Sequence, residues 1–328
     1  MQDFTSIPIV DLAQDKKKVA ADVRKACCES GFFYVIHHGV DEALQKRLED
    51  LSRQFFQQDE ASKMQLRMAL GGKAWRGYFP VGGELTSGKP DLKEGLYLGT
   101  ELPADHPKVK AGVPLHGANL FPNVPGFKAT VLEYMDAVTR LGHQLMGIMG
   151  LSLGLAEDYF HQHCTKDPLI LFRIFHYPPD PQPKTQDSWG VGEHTDYGLL
   201  TILKQDDCGG LQVKSKSQWV DAPPVPHSFV CNIGDMLDRM TGGLYRSTPH
   251  RVKNVSGRNR YSYPLFFDPG FDSEVKPLPL AKTTREDRDE RWDKASVHAF
   301  QGTYGDYVLN KVSKVFPDLK QDVLEKKS

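Results

Sequence analysis

The sequence predicts a β-rich sandwich or barrel, preceded by an α/β segment and flanked by helices. Two observations carry this. After Pro168, seven short apolar or alternating runs follow one another: LILFRIFHY (169–177), HTDYGLLTIL (194–203), GLQVKS (210–215), QWVDA (218–222), SFVCNIG (228–234), HRVKNV (250–255) and RYSYPLFF (260–267). Turn-forming stretches such as PPDPQP, DDCGG, PPVPH and SGRN separate them. Many short strands punctuated in this way read as a sandwich or barrel, and a double-sheet jelly roll is one such form. Before them, from Gly126 to Gly154, the apolar period is helical.

In chain order, TSIPIVDL (5–12) alternates and reads as an edge strand opened by Pro8. Residues 14–30 predict a helix, with Val19, Val23 and Cys27 on one face and Gly31 as the stop. FFYVI (32–36) reads as a buried strand. Asp41 is placed to cap a second helix whose apolar face is Leu44, Leu48, Leu51 and Phe55. Residues 70–123 are rich in Gly and Pro and hold little periodicity, as expected of a functional loop or a wrapping segment. Within them, GGELTSGKPD (82–91) reads either as a solvated turn, with Glu84 and Lys89 cross-linking it, or as a loop folded against the core. KEGLYLG (93–99) is strand-like. The helical stretch then carries Val131, Met135, Val138, Leu141, Leu145 and Ile148 on one face, the mark of a scaffold helix lying on a sheet. The expected organisation is an N-terminal region with a substrate loop (1–123), a β core with its scaffold helix (124–295) and a helical tail (296–328) ending in a solvated Lys/Glu run.

Composition narrows the function classes. A net charge of −1 argues against a nucleic-acid partner, which calls for a strongly basic face. No apolar run reaches the roughly 18 residues of a membrane-spanning helix, and the N-terminus lacks a signal-peptide pattern. The five cysteines, 27, 28, 164, 208 and 231, form no CxxC pair and read as reduced thiols, with Cys27 and Cys28 as core residues. A cytoplasmic monomer acting on a small molecule is the expectation.

The chemistry gathers around GEHTDYGLL (192–200). On one strand, His194 and Asp196 would share a face, about 7 Å apart along the backbone. An imidazole beside a carboxylate supplies two parts of the 2-His-1-carboxylate triad that binds non-haem Fe(II) and leaves positions open for oxygen and a substrate. His250, 54 residues after Asp196, is the candidate third ligand. His176 and His298 read instead as ordinary core or surface histidines. Zinc also takes three His and carboxylate ligands, so ligand types alone leave the metal open. Arg260 and Ser262, again i and i+2, favour iron. The guanidinium fork can grip a carboxylate, the hydroxyl adds a contact, and 2-oxoglutarate would span from this anchor to the metal.

HTDYG, STPHRV and RYS, preceded by RIFHYPP (173–179), resemble the isopenicillin N synthase-like family of Fe(II)/2-oxoglutarate-dependent oxygenases, and IPIVDL and SGFFYVIHHGV resemble its N-terminal region. The resemblance implies a double-stranded β-helix, a distorted, cupin-like jelly roll. It also implies His194, Asp196 and His250 as iron ligands, with Arg260, Ser262 and Tyr177 holding 2-oxoglutarate. Turnover with O2 would release succinate and CO2 while the substrate is hydroxylated, desaturated or cyclised. Where many plant members carry Asn, this chain has Phe175, which makes one side of the pocket apolar.

GELTSGKPD, KVKAGVPLHG and KVFPD further resemble members related to ethylene-forming enzyme, which take a basic amino acid; there Glu84, Thr86, Arg173 and Tyr197 would line the substrate pocket, and Lys314 replaces an arginine. An ethylene-forming 2-oxoglutarate/arginine oxygenase and an iron oxidase independent of 2-oxoglutarate are the neighbouring alternatives. A zinc hydrolase would need a glutamate base that the sequence does not place. A silent binding protein would have no need of an intact triad.

Overall fold

The computed structural model describes residues 3–86, 88–179, 189–279 and 296–315. The chain opens as β1 (Ile9–Asp11), α1 (Lys16–Glu29), β2 (Phe32–Ile36), α2 (Glu42–Phe56) and α3 (Glu60–Met64). β1 lies at a sheet edge, parallel to β2, as the alternating run predicts. Val19, Val23 and Cys27 turn inward from α1. Gly31 ends that helix at φ +68°, and a Cβ there would fall 2.2 Å from the Arg246 carbonyl oxygen, so the position requires glycine. The Asp41 side chain accepts hydrogen bonds from the Ala43 and Leu44 amides and caps α2.

The stretch expected to be mostly irregular contributes strands. β3 (Gly77–Phe79) and β6 (Glu94–Gly99) extend the main sheet, and β4 (Leu85–Thr86) pairs with β5 (Lys89–Pro90) in a separate hairpin. β6 matches the strand-like run KEGLYLG; β3 is buried along its whole length and lacks the period-two alternation by which a half-exposed strand is recognised. After the short α4 (Pro107–Lys110), the scaffold helix α5 (Phe127–Ser152) buries its entire stripe from Val131 to Ile148. Burying each such large side chain contributes roughly 1.5–3 kcal/mol relative to exposure.

The strands that follow are β7 (Leu169–Tyr177), β8 (Val191–His194), β9 (Leu200–Gln205), β10 (Leu211–Lys214), β11 (Trp219–Asp221), β12 (Ser228–Ile233), β13 (His250–Val252) and β14 (Arg260–Asp268), with α6 (Asp235–Met240) after β12. They form two sheets. The larger runs β1-β2-β12-β9-β14-β7-β6-β3, and the smaller runs β11-β10-β13-β8. Alternation on β7 and β14 separates two environments. Phe172 and Phe267 face α5, where the Tyr134 ring lies 5.4 Å from that of Phe172 and a Cβ on Gly142 would come within 2.3 Å of Phe267. Their neighbours Leu171, Arg173, Phe175 and Tyr177, with Arg260, Ser262, Pro264, Phe266 and Asp268, face a cavity whose opposite wall is the smaller sheet. This is a jelly roll with flanking helices.

The final helix, α7 (Tyr304–Val315), covers one side of the cavity with Tyr304, Val308, Val312 and Val315. The terminal Lys/Glu run lies outside the described residues. Among the described residues, no helix is long and apolar enough to cross a membrane.

Candidate metal centre and active site

β13 pairs antiparallel with β8 and sets His250 opposite His194, with ring centroids 4.2 Å apart. Asp196 joins them, although not from the strand expected over 194–203. β8 ends at His194, the next strand starts at Leu200, and Asp196 stands in the turn between. That turn is held from outside. The Asp196 carbonyl accepts the Asp235 amide at 2.8 Å, and Gly198 packs so tightly that a Cβ would fall 1.5 Å from Asp268 Oδ1.

The Nε2 atoms of His194 and His250 each lie 3.7 Å from Asp196 Oδ1. Transition metals bond such atoms at about 2.0–2.2 Å, so an ion fits between the three side chains. Each imidazole is oriented for that role. His194 Nδ1 donates to the Gly192 carbonyl at 2.8 Å, and His250 Nδ1 donates to the Thr248 carbonyl at 3.2 Å. A carbonyl only accepts, so the proton sits on Nδ1 and the Nε2 lone pair is available. Burial, reinforced by His194, pushes the His250 imidazole down to about 4, which keeps it neutral at physiological pH. Burial works to raise the Asp196 carboxyl, but His250, His194, Asn232 and Thr201 outweigh it and hold the group below the ordinary carboxylate value. Thr201 Oγ1 at 2.5 Å and Asn232 Nδ2 at 2.7 Å both donate to Asp196 Oδ2, which leaves Oδ1 facing the histidines.

One other trio of metal-ligating groups stands together among the described residues: Asp206, Asp207 and Cys208. The Asp206 carboxylate there is already occupied by the Cys208 and Tyr261 amides.

Deeper in the same cavity, Arg260 is 1% exposed. Its Nε donates to the Gly209 carbonyl at 2.5 Å, and its guanidinium lies 4.5 Å from the centroid of the Tyr177 ring. Its Nη1 is buried without a hydrogen-bond partner. A buried guanidinium donor without an acceptor is costly, and a bound carboxylate would remove that cost. Ser262 Oγ lies 3.3 Å from Tyr177 Oη, and both residues line the same cavity as Arg260. The donor set thus fits both a metal ion and a dicarboxylate reaching from it to Arg260.

Another part of the cavity wall comes from β4, β6 and β7. Glu84, Thr86, Arg173, Phe175 and Tyr197 all line the cavity, as expected. The ends of GGELTSGKPD therefore fold against the core, with Glu84 and Asp91 buried, while residues 88–90 are exposed. Glu84 is not cross-linked to Lys89: Glu84 Oε2 lies 2.8 Å from Lys93 Nζ, and Oε1 accepts from Tyr97 Oη at 2.5 Å. The Arg173 guanidinium stacks 3.5 Å from the Tyr97 ring centroid and donates to the Leu98 and Phe172 carbonyls. His176 is a core histidine held by Glu94 and Asn259, and His298 lies buried 3.1 Å from Asp238.

Sequence reading missed Thr201, Asn232, Lys93, Asp268 and Tyr304. Of these, only Lys93 gave a usable signal, as the cation that opens the strand-like run KEGLYLG. Burial pushes the Asp268 carboxyl up to about 7, against a hydrogen bond from Tyr304.

Two family models match the chain: the N-terminal region of non-haem dioxygenases in morphine synthesis over residues 7–124, and the 2OG-Fe(II) oxygenase superfamily over residues 168–269. A probable iron/ascorbate oxidoreductase of Dictyostelium discoideum is 54% identical, covering 97% of each chain. A 1-aminocyclopropane-1-carboxylate oxidase of the same organism is 41% identical over 96% of each. A homoarginine-6-hydroxylase of Glycine max is 37% identical, over 97% of this chain and 99% of its own. A full-length Neurospora crassa protein, solved in complex with alpha-KG and thymine, superposes with a TM-score of 0.79 at 26% identity, over 94% of this chain and 96% of the other. The chain therefore belongs to the 2OG-Fe(II) oxygenase superfamily and is a non-haem dioxygenase that works with Fe(II), 2-oxoglutarate and O2.

Proposed function

We propose that this dioxygenase oxidises a small amino acid, or a related acid, that carries a positively charged side chain. His194, Asp196 and His250 would hold the iron, while Arg260, Ser262 and Tyr177 would hold the far carboxylate of 2-oxoglutarate. When bound, iron and 2-oxoglutarate supply the oxidising power, with O2 consumed and succinate and CO2 released. The chain's own side chains place the substrate and keep water away from it.

One observation carries the substrate class: the cavity sets a cation receptor beside an anion receptor. Glu84 Oε2 is buried, and the Lys93 ammonium beside it at 2.8 Å is shared with Asp91, so its charge is not fully balanced and it can take a further donor. Arg173 supplies a guanidinium to the same cavity wall. A substrate with a carboxylate for Arg173 and a guanidinium or ammonium for Glu84 satisfies both, and such charge-assisted bonds are roughly twice as strong as neutral ones. Phe175, Phe266 and Val308 leave the space between for methylene groups. Full-length similarity to homoarginine-6-hydroxylase supports this reading.

The test is succinate formation from 2-oxoglutarate in the presence of arginine, homoarginine, lysine and uncharged or acidic amino acids. Stimulation confined to the cationic members is expected. Stimulation by an uncharged or acidic member alone would overturn the substrate class. Substrate oxidation without 2-oxoglutarate would replace the cosubstrate assignment with an oxidase reaction.

A further inference from the structure

Lys93 lies in the connection leading into β6, and its side chain is 1% exposed. Its ammonium is paired with two carboxylates, 2.8 Å from Glu84 Oε2 and in contact with Asp91 Oδ2. The Phe175 ring closes over it, 4.9 Å from its centroid to Nζ, with that of Phe79 at 5.9 Å. Away from water, these charges must be balanced locally.

The two carboxylates are not equivalent. Asp91 is fully engaged: Oδ2 takes the Lys93 ammonium and the Thr86 hydroxyl at 2.7 Å, and Oδ1 accepts the Gly192 amide at 3.4 Å. It does not line the cavity, whereas Glu84 and Lys93 do. Glu84 accepts the Tyr97 hydroxyl on Oε1, and its Oε2 has no aligned hydrogen bond. Two negative charges share one positive charge, and the surplus rests on the carboxylate that faces the cavity. Arg173 also lines the cavity and its charge bears on Glu84, but on the proposed reading it is taken up by the substrate carboxylate; Asp196, Arg260 and Asp268 are the remaining charged side chains of the lining.

Resting on the cationic-substrate reading, we propose that Lys93 is a specificity-determining residue: by dividing one positive charge between Glu84 and Asp91, it leaves the subsite lacking a single cation, which the substrate side chain supplies. Thr86 and Gly192 orient Asp91, Asp91 orients Lys93, and Lys93 orients Glu84. This chain of contacts ties the hairpin that reads the substrate to β8, the strand that carries His194.

The experiment measures anaerobic binding by calorimetry to the full chain loaded with Fe(II) and 2-oxoglutarate. Two matched pairs are used, arginine with citrulline and homoarginine with homocitrulline, which exchange a charged guanidinium for a neutral urea. The readout is the preference for the charged member. Asp91→Asn makes the subsite neutral, and the preference is expected to fall at least about tenfold, because the substrate cation would then be an excess buried charge. Lys93→Met should raise the preference. Combining Asp91→Asn with Lys93→Met removes both partners, restores one surplus negative charge and should return the preference to that of the original chain. Removing both partners of a buried pair is also better tolerated than removing one, so the double variant stands if Lys93→Met does not fold. A purely structural Lys93 would weaken both members of each pair alike, and an unchanged preference across the variants would overturn the proposal while leaving the cationic-substrate reading intact. Failure of the original chain to favour either charged member would overturn both.

Discussion

Asn232 Nδ2 donates to Asp196 Oδ2 over 2.7 Å, which leaves Oδ1 as the carboxylate atom facing both histidines. Asn232 comes from β12 in the large sheet, whereas the histidines sit on β8 and β13 in the small one. The candidate metal centre is thus assembled across the jelly roll, with the large sheet orienting a ligand that the turn from β8 to β9 delivers.

Replacing Asn232 with Ala removes one of the two donors to Oδ2 and loosens the carboxylate. Fe(II) affinity, measured by anaerobic titration, is expected to fall about 10–100-fold, as for loss of other groups that orient a metal ligand. Unchanged affinity would show that Thr201 alone suffices.

Arg260→Ala should weaken 2-oxoglutarate binding by roughly 2–5 kcal/mol, the cost of breaking a buried charge pair. Iron binding without the cosubstrate should not change. Equal loss of both ligands would point to a structural role for Arg260.

Glu84→Gln keeps the shape of the substrate wall and removes its charge. A cationic substrate should bind about 10–100-fold more weakly, from the roughly 1.5–3 kcal/mol of a hydrogen bond to a charged group. Cosubstrate affinity should stay the same. A parallel loss of cosubstrate affinity would refute a role confined to the prime substrate.

Asp268 gives a pH dependence. Burial raises its carboxyl to about 7 in the folded chain, against an ordinary value of 3.8. Below the ordinary value both states are protonated and the group contributes nothing. Between the two values the unfolded chain releases the proton while the folded chain keeps it, so stability falls as pH rises, by up to about 4 kcal/mol above pH 7. Asp268→Asn removes this titration. Its stability advantage over the original chain, read by thermal unfolding without metal, should grow from pH 4 to pH 7 and then level off. A difference independent of pH would contradict the shift.

Much of the site was legible because strand periodicity places i and i+2 together. Arg260 and Ser262 face the cavity on that rule, whereas Arg173, Phe175 and Tyr177 were singled out by the family resemblance and share the cavity face of β7. His194 and Asp196 are brought together for a different reason: the strand ends between them and a turn locked by Gly198 and Asp235 sets the carboxylate. Such a turn leaves no periodic trace. Thr201 and Asn232 were invisible because a single polar residue in an apolar strand reads the same whether it faces a ligand or a backbone carbonyl. β3 was hard to place because burial on both faces erases alternation, whereas β6 was read from the strand-like run KEGLYLG. The cavity-facing stripe of α7, Val308, Val312 and Val315, could not be distinguished from any other core-facing stripe.

The most direct measurement is the visible absorption of the anaerobic chain with Fe(II) and 2-oxoglutarate. A metal-to-ligand band should appear only when both are present, persist in Glu84→Gln, and vanish in His194→Ala and His250→Ala. No band in the original chain with iron demonstrably bound, or an undiminished band in either histidine variant, would contradict the proposed metal and cosubstrate site.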